Sequence, residues 1–384
     1  MSEAELEPPV DLDWEGRSTG VEREEPGDRI ETPFDPDRID VQTRTPTIDL
    51  LLSRLRRGAL NLEPDFQRRA GIWSDRNQSR LIESLLLRIP LPTLYASDTE
   101  EDVWVIVDGI QRLTAIARFV DPDIVGMTPL RLRDLEYLRQ YEGCTYADLP
   151  GRLQTRISET ELVVHLIRPG TPEEVKFNIF ARINTGGRPL TRQELRHALI
   201  PGRARVLLKE LAESPSYLTA TSNSVSPDRM DDREMVLRFL AFRLTDPSSY
   251  TRGDLDEFLR DAMVQLNNLS PSKMQELERD FHRAMERSKL IFGEYAFRKR
   301  SVENPRRRLP INKAVFEAVS VNMAKRSEEE FRQLVEKKEK IEKGFMRLME
   351  DTEFERAISL GTGDVAKVRR RFGAIDRLLS EALE

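Results

Sequence analysis

The sequence has little or none of several features that specialised classes of protein require. It contains one cysteine, Cys144, which excludes an internal disulfide framework and fits a reducing cytoplasm. No apolar run approaches the roughly 18–20 residues that span a bilayer, and the acidic start MSEAELEPPV has no apolar signal region. These absences predict a cytoplasmic protein without a membrane span.

Histidine is also scarce. The three histidines, His165, His197 and His282, are scattered without the spacing of a metal site. We interpret His165 as a core residue of an apolar strand, and His197, on a predicted helix, as a candidate for facing a ligand. The letters EEVK at residues 173–176 match part of a carboxylate–lysine nuclease motif, but they lie at a predicted helix start. The sequence therefore predicts no nuclease centre.

Charge is distributed unevenly along the chain. Residues 1–40 carry 14 Asp/Glu and 4 Arg, a net charge of −10, whereas the other 344 residues hold 53 acids and 57 bases, a net charge of +4. Few apolar residues recur at regular spacing in the first segment. We therefore predict a disordered acidic leader over residues 1–44 and a mildly basic body with room for an anionic ligand.

The spacing of apolar residues predicts an α+β protein. A small α/β unit is expected over residues 45–200 and a mainly α-helical domain over residues 201–384. Thr191 and Glu194 have the spacing of a capping box at a helix start. The other predicted elements of the first unit include strands at Thr93–Ala96, Val103–Val107 and Glu161–Arg168, and helices at Thr47–Gly58, Asp75–Ile89 and Gly109–Phe119.

The stretch VWVIVDGIQRLTAIARFV places an arginine at the start of a predicted helix. One interpretation is a reciprocal cap in which Asp108 is the N-cap and Gln111 the third helical residue. That interpretation does not explain Arg112, because a cation is unfavourable near the positive end of the helix dipole. A bound anion would reverse the sign, and Gly109 would let a phosphate oxygen approach the backbone closely. The strand–glycine–helix order therefore predicts a phosphate site, although no Walker loop, GxxxxGK[ST], occurs in the chain.

Two other stretches of the α/β unit combine glycine, amide and arginine residues. EPDFQRRAGIW offers Gln67 and Arg68 on a predicted loop, and its alternative interpretation is a solvated loop. RINTGGRPLTRQELR offers four residues before a capped helix, Asn184, Thr185, Gly186 and Gly187. The alternative for this second stretch is a turn after a helix C-terminus.

The most basic stretch lies in the helical region. FRKRSVENPRRR contains six basic residues and one acid, and it ends in Arg306, Arg307 and Arg308. Its ordinary interpretation is a solvated loop between helices. As a hypothesis, these three arginines contact the phosphate backbone of DNA without reading its sequence.

Three of these stretches together resemble a known family. EPDFQRRAGIWSDRNQSRLIESLLLRIPLPTLYA, VDGIQRLTAI and FARINTGGRPLTRQELRHAL are similar to the N-terminal-type domain of the GmrSD restriction endonucleases, which is built on a ParB/sulfiredoxin-like fold. LPINKAVFEAVSVNMA and GTGDVAKVRRRF resemble the helical portion of that family, so the likeness covers roughly residues 45–375. The family's DGxQR motif falls on Asp108, Gly109, Gln111 and Arg112. Ile110 stands where the family usually has glutamine.

The resemblance implies nucleotide binding and NTP hydrolysis in bacterial defence against phage and modified DNA. Asp108, Gln111 and Arg112 would then be catalytic, with Mg²⁺ held at Asp108. The nucleotide-binding set would comprise Gln67, Arg68, Gly109, Asn184, Thr185, Gly186 and Gly187. Two alternatives remain open: a module that holds a nucleotide without turnover and binds DNA or a separately encoded nuclease, and a standalone nuclease. Nuclease-bearing members carry a second, His-Asn-His-type domain, which needs histidines that this chain does not supply in that pattern.

Overall fold

The computed structural model describes residues 8–13, 16–24, 39–62, 73–99, 102–172, 175–177, 179–180, 190–251 and 253–384. The chain forms two compact units. One is Thr32–Leu199, and the other joins Met1–Glu31 to Ile200–Glu384.

Among the described residues, the strands lie in the first half of the chain, and helices dominate the second half. The described elements up to residue 199 are β1 (Val10–Leu12), β2 (Ser18–Glu22), β3 (Val41–Arg44), α1 (Ile48–Arg56), β4 (Leu60–Asn61), α2 (Asp75–Leu86), β5 (Leu94–Asp98), β6 (Trp104–Asp108), α3 (Ile110–Val120), α4 (Gly151–Ser158), β7 (Val164–Ile167) and α5 (Arg192–Leu199). Those that follow are α6 (Arg203–Ala212), α7 (Pro215–Ala220), α8 (Asp231–Leu244), α9 (Leu255–Asn267), α10 (Pro271–Phe292), α11 (Lys313–Lys325), α12 (Glu328–Glu336), α13 (Lys338–Met349), α14 (Thr352–Ser359) and α15 (Val365–Leu383). The predicted α+β class is confirmed.

A mixed five-stranded sheet forms the centre of the unit Thr32–Leu199. Its strand order is β3-β7-β5-β6-β4, with β5 and β6 antiparallel and β4 parallel to β6. Because β4 and β6 run the same way, the chain leaves both strands at the same edge of the sheet. The predicted strands and helices here are confirmed, with ends that differ by a few residues. The ends differ because a strand ends where its ladder of hydrogen bonds ends, which the apolar pattern does not mark.

The two helices that flank the sheet edge are joined by polar side chains. Ser74 caps α2 by accepting a hydrogen bond from Asn77 N–H. Arg118, on α3, donates to Asp75 at 2.6 Å and to Gln78 at 3.2 Å, and its guanidinium is almost fully buried. The start of α2 is therefore fixed against α3 by buried hydrogen bonds as well as by apolar packing.

Residues 1–44 contain ordered strands, which corrects the prediction of a disordered leader for the described part of that segment. β1 and β2 pair in antiparallel fashion, and β3 joins the five-stranded sheet. Acidic side chains explain much of this order. Glu22 accepts from Lys299 at 2.7 Å, and Glu24 pairs with the buried Arg238. The acidic composition therefore marks a segment that pairs with distant bases, rather than one that is wholly solvated.

The unit that contains Ile200–Glu384 has charged groups in its interior. The side chains of Arg371 on α15 and Glu317 on α11 are both fully buried and paired. Arg238 on α8 lies 3.4 Å from the same carboxylate, and Lys313 lies 2.8 Å from Asp231. This network ties α8, α11 and α15 together by direct charge pairing at their centre.

Candidate functional site

The junction of β6 and α3 is built around a glycine in a left-handed conformation. Gly109 is the N-cap of α3, with φ 90° and ψ 10°, and no side chain caps the helix. The expectation that Asp108 and Gln111 form a reciprocal cap is therefore wrong. Asp108 is the last residue of β6, one position too early, and the left-handed turn at Gly109 directs its carboxylate elsewhere. The first N–H groups of α3 are left without a side-chain cap.

Gly109 is required at this position for two physical reasons. A positive φ is costly for residues with a Cβ, and a Cβ at residue 109 would lie 2.1 Å from Leu94 Cδ2 and 3.1 Å from the Arg112 guanidinium. The glycine thus lets the start of β5 and the guanidinium pack directly against the backbone of the turn. From the sequence, the missing side chain was expected to admit a ligand instead.

We expect Gly109→Ala to destabilise the unit Thr32–Leu199 by at least about 2 kcal/mol, through backbone strain together with overpacking against Leu94. Gly58→Ala is the matched control, because Gly58 also has a positive φ, 72°, but a Cβ added there would meet no atom within 4 Å. The control should lose only the strain contribution, about 1 kcal/mol. Urea unfolding followed by tryptophan fluorescence in a Trp14→Phe background, which leaves Trp73 and Trp104, measures both. Equal losses would contradict the packing role of Gly109.

Arg112 contacts protein groups on two sides. Its Nη2 donates to Asp108 Oδ2 at 2.9 Å and to the Thr93 carbonyl at 3.2 Å, and its Nη1 donates to the Pro92 carbonyl. The side chain is 12% exposed, and burial lowers the pKa of Arg112 while the Asp108 carboxylate opposes that shift. The arginine at the helix start is thus compensated by a carboxylate four residues earlier and by two carbonyls.

Asp108 keeps part of its carboxylate accessible. Its side chain is 30% exposed, and among the described residues Oδ1 accepts no hydrogen bond while Oδ2 is held by Arg112. Gln111 Oε1 accepts from Trp73 N–H at 3.2 Å. Trp73 is the first described residue after the segment that contains Gln67 and Arg68, so Gln111 anchors one end of that segment beside Asp108.

The described flanks of the other two motifs also reach this junction. Gln67, Arg68 and Asn184–Gly187 themselves lie outside the described residues. The segment with Gln67 begins after β4, whose Asn61 pairs with Val105 of β6. The segment with Asn184–Gly187 is bounded by Phe180 and Leu190, and both pack in one apolar cluster with Val107, the residue before Asp108. The ends of both segments therefore lie close to the end of β6.

The structure accounts for the other residues considered from the sequence. Thr191 and Glu194 form the predicted capping box, with Glu194 N–H donating to Thr191 Oγ1 at 3.1 Å. His165 bonds Thr43 Oγ1 at 3.0 Å, and His282 bonds Ser216 Oγ at 2.8 Å. His197 is buried on α5. In the described part of the chain, no group of three His, Cys, Asp or Glu residues has the arrangement of a metal site.

The basic stretch in the unit that contains Ile200–Glu384 divides into two parts. Arg298 and Arg300 are buried, and Arg298 donates to the Ser224 hydroxyl at 2.5 Å, whereas Arg300 lies over the Tyr295 ring. Lys299, between them, is the partner of Glu22. Arg306 and Arg308 are exposed and Arg307 is half-buried. Arg298, Lys299 and Arg300 therefore stabilise the fold. The exposed positive charge of this stretch lies on Arg306 and Arg308.

Some residues of the β6–α3 junction were not found from the sequence. Leu94, Trp73 and the carbonyls of Pro92 and Thr93 define the surroundings of Arg112 and Gln111. The spacing of Asp108 and Arg112, four residues apart with opposite charge, was a readable signal for their ion pair. The backbone carbonyls had no comparable signal, because any residue supplies one.

Residues 48–201 match the family described as GmrSD restriction endonuclease, N-terminal domain. This segment is a GmrSD-type N-terminal domain. The predicted resemblance is thus confirmed for this part of the chain, which includes all three motifs. The presence of a domain of this restriction-endonuclease family indicates a role in DNA restriction or phage defence. Comparison with curated proteins yields no match, and comparison with solved structures yields none either.

The extension of the family likeness to residue 375 lies beyond the matched GmrSD-type domain and stays a prediction, as does its ParB/sulfiredoxin-like fold. No helix in the described part of the chain combines the length and apolar composition needed to cross a bilayer.

Proposed function

We propose that the GmrSD-type domain binds a nucleoside triphosphate at the junction of β6 and α3 and hydrolyses it in a DNA-restriction or phage-defence system. One observation supports the proposal: described residues that flank the other two motifs lie beside the end of β6. Trp73 donates to Gln111, and Phe180 and Leu190 pack with Val107, although these residues are far apart in sequence. The N–H groups at the start of α3, which no side chain caps, are suited to anionic oxygens.

Asp108 is the proposed metal-holding residue. Mg²⁺ in nucleotide sites is typically bound by one or two carboxylates together with phosphate oxygens and water, so a single carboxylate fits this chemistry. The partly exposed Asp108, with Oδ1 unused by described residues, meets that requirement. When bound, Mg²⁺ would supply charge stabilisation to the phosphates. Arg68 and Asn184–Gly187 remain proposed phosphate contacts by resemblance.

Arg112 is proposed to act mainly through Asp108. The Arg112 guanidinium donates to one carboxylate oxygen and two backbone carbonyls. A phosphate oxygen that bound the guanidinium would therefore share its N–H groups with Asp108. Gln111 is held through Oε1 by Trp73, which leaves its amide N–H groups for a ligand or the attacking water. Gln67 would be the second candidate for that water. Phosphoryl transfer depends mainly on positioning and charge stabilisation, which this set would supply together with Mg²⁺.

Release of phosphate from a panel of nucleoside triphosphates tests the proposal. The full chain, with Mg²⁺, is assayed with and without DNA beside Arg112→Ala. We expect turnover of at least one nucleotide by the wild type and a loss of about 100-fold in the variant, the size seen when a positioned donor is removed from a reacting centre. A variant that unfolds at the same urea concentration but turns over at the wild-type rate would remove Arg112 from the mechanism.

A binding module without turnover is the second candidate. It is favoured by the pairing of Arg112 with Asp108, since that pair has no net charge to place on a transferring phosphoryl group. In that case the nucleotide would act as a switch, and the unit that contains Ile200–Glu384 would hold DNA, through Arg306–Arg308, or a separately encoded nuclease. Nucleotide-dependent stabilisation without product release would select this candidate.

A further inference from the structure

A groove lined by arginines runs between two helices of the unit that contains Ile200–Glu384. It lies between α13 and α15 and has a volume of about 440 Å³. Its charged lining comprises Arg347, Arg369, Arg370, Arg377, Asp351 and Glu381. Four cations and two anions give this surface a net charge of +2, in a chain whose formal net charge is −6.

Three of these cations have no partner within the described chain. The side chains of Arg347, Arg369 and Arg377 are exposed, and none makes a hydrogen bond or ion pair with a described residue. Arg370 differs, because it pairs with Asp351 Oδ2 at 2.9 Å. Asp351 also caps α14 through its other oxygen. The uncompensated charge of the groove therefore belongs to three arginines, opposed by Glu381.

The helical spacing aligns these arginines along the groove. On α15, Arg369, Gly373 and Arg377 follow one another at intervals of four residues, so they share one face. Arg369 and Arg377 are eight residues apart, about 12 Å along the axis. That distance corresponds to between three and four base-pair steps along the axis of a DNA duplex, at about 3.4 Å each. The stripe thus has a spacing that suits repeated phosphates better than a single one.

Two glycines shape the groove. A Cβ at Gly344 of α13 would lie 2.5 Å from Leu378 Cδ1, so this glycine lets α13 approach α15 closely. A Cβ at Gly373 would meet nothing within 4 Å, so the middle of the arginine stripe is open. The described lining contains no aromatic side chain on which unpaired bases could stack. The surface therefore fits a sugar–phosphate backbone rather than exposed bases.

We propose that the groove between α13 and α15 binds the phosphate backbone of duplex DNA through Arg347, Arg369 and Arg377. The site is separate from the loop of Arg306–Arg308 in sequence. It does not require the GmrSD-type domain to bind a nucleotide. Binding through phosphates is independent of base sequence and weakens as the salt concentration rises, because the release of counterions then contributes less.

The first test compares two triple variants that remove equal charge. Affinity of the full chain for a fluorescent 20-base-pair duplex, a length chosen for the assay as roughly two helical turns, is measured by anisotropy over a range of salt, without nucleotide. The groove variant replaces Arg347, Arg369 and Arg377 with alanine. The control variant replaces three exposed arginines outside the groove lining, Arg279, Arg332 and Arg356.

We expect the groove variant to bind about tenfold or more weakly at moderate salt, and its slope of log K against log salt to fall by up to about 2.7, from 0.9 for each of three lost phosphate contacts. The control should keep the wild-type slope. Equal slopes in the two variants would overturn the proposal. A variant with alanine at Arg306 and Arg308 that alone abolishes binding would also overturn it, since the loop would then be the contact.

Gly373 provides a second test that preserves folding. Gly373→Glu and Gly373→Gln place side chains of nearly equal size in the open middle of the stripe, and both raise helix propensity over glycine. We expect the Glu variant to bind duplex DNA several-fold more weakly than the Gln variant, with the difference vanishing at high salt. Equal affinities of the two variants would contradict a phosphate contact here.

Competition arms identify the ligand. If the groove takes the backbone of duplex DNA, inorganic phosphate and ATP should not displace the duplex beyond their contribution to ionic strength. If ATP displaced the duplex more than chloride did at the same ionic strength, the groove would instead be assigned to a mononucleotide. Tighter binding of single-stranded RNA than of duplex DNA, lost in the groove variant, would likewise overturn the DNA assignment.

Discussion

Replacing Arg371 with methionine is expected to destabilise the unit that contains Ile200–Glu384 by about 3–5 kcal/mol, the usual cost of removing one partner from a buried ion pair. The Arg371 guanidinium has no exposure and donates to Glu317 Oε1, with Nε at 2.8 Å, and to the Thr362 carbonyl at 2.7 Å. Methionine fills a similar space but satisfies none of these acceptors. Glu317 would keep Arg238, at 3.4 Å, as its remaining partner.

The loss from Arg371→Met should depend on pH in a defined direction. Burial raises the pKa of Glu317, and the neighbouring Arg371 opposes that shift. Without Arg371 the folded pKa rises further above the unfolded value. The protonated carboxyl is then favoured in the folded state, a contribution present at low pH and lost as pH rises through the folded pKa. The variant should therefore be less destabilised at pH 5 than at pH 8.

Urea unfolding measured by circular dichroism tests this expectation, because the mainly helical unit gives much of that signal. In a Trp14→Phe background, the fluorescence of Trp73 and Trp104 reports on the other unit and should change little. Arg370→Met is the matched control. Arg370 is the residue before Arg371, its side chain is 44% exposed, and its ion pair with Asp351 contributes little to stability. Equal losses for the two variants would contradict the buried network. Adding Glu317→Gln to Arg371→Met should recover part of the stability.

The sequence predicted those elements whose signals are local. The apolar spacing of residues 75–89 and 103–119 identified α2, β6 and α3, because each buries one face against its neighbours. The Thr191–Glu194 cap was also readable, since both partners lie within one helical turn. These features depend on residues that are close together in the chain.

The strands of the N-terminal segment could not be predicted in the same way. Glu22 is held by Lys299 and Asn312, which lie more than 270 positions away in sequence. Such partners leave no periodic signal in residues 10–22, and acidic composition alone favours disorder. The contacts of Arg112 show the same limit. Its pair with Asp108 follows from local spacing, but its bonds to Pro92 and Thr93 depend on how β5 lies beside β6.

Asp108→Asn is expected to lower NTP turnover by about 100-fold or more, comparable to the loss of one preorganised electrostatic contact at a reacting centre. The amide keeps the shape of the carboxylate but removes the charge that would hold Mg²⁺. It also weakens the bond from Arg112 Nη2, which is 2.9 Å long in the wild type. Because the side chain is partly exposed, the loss of folding stability should be small beside the loss of turnover.

The matched control for Asp108→Asn lies at the other end of the same helix. Asp121 follows α3 and pairs with Arg56 at 2.6 Å, and its side chain is 28% exposed against 30% for Asp108, so Asp121→Asn removes an equal charge from a carboxylate of similar exposure. It leaves the β6–α3 junction unchanged. Any general effect of charge on the GmrSD-type domain should therefore appear in both variants.

The central claim is that the β6–α3 junction holds the anionic oxygens of a nucleotide, and the rate of phosphate release by these two variants tests it most directly. With Mg²⁺ and the nucleotide that the wild type prefers, Asp121→Asn should turn over at the wild-type rate, and Asp108→Asn about 100-fold or more slowly. Equal rates for Asp108→Asn and Asp121→Asn, in protein that remains folded, would contradict the claim.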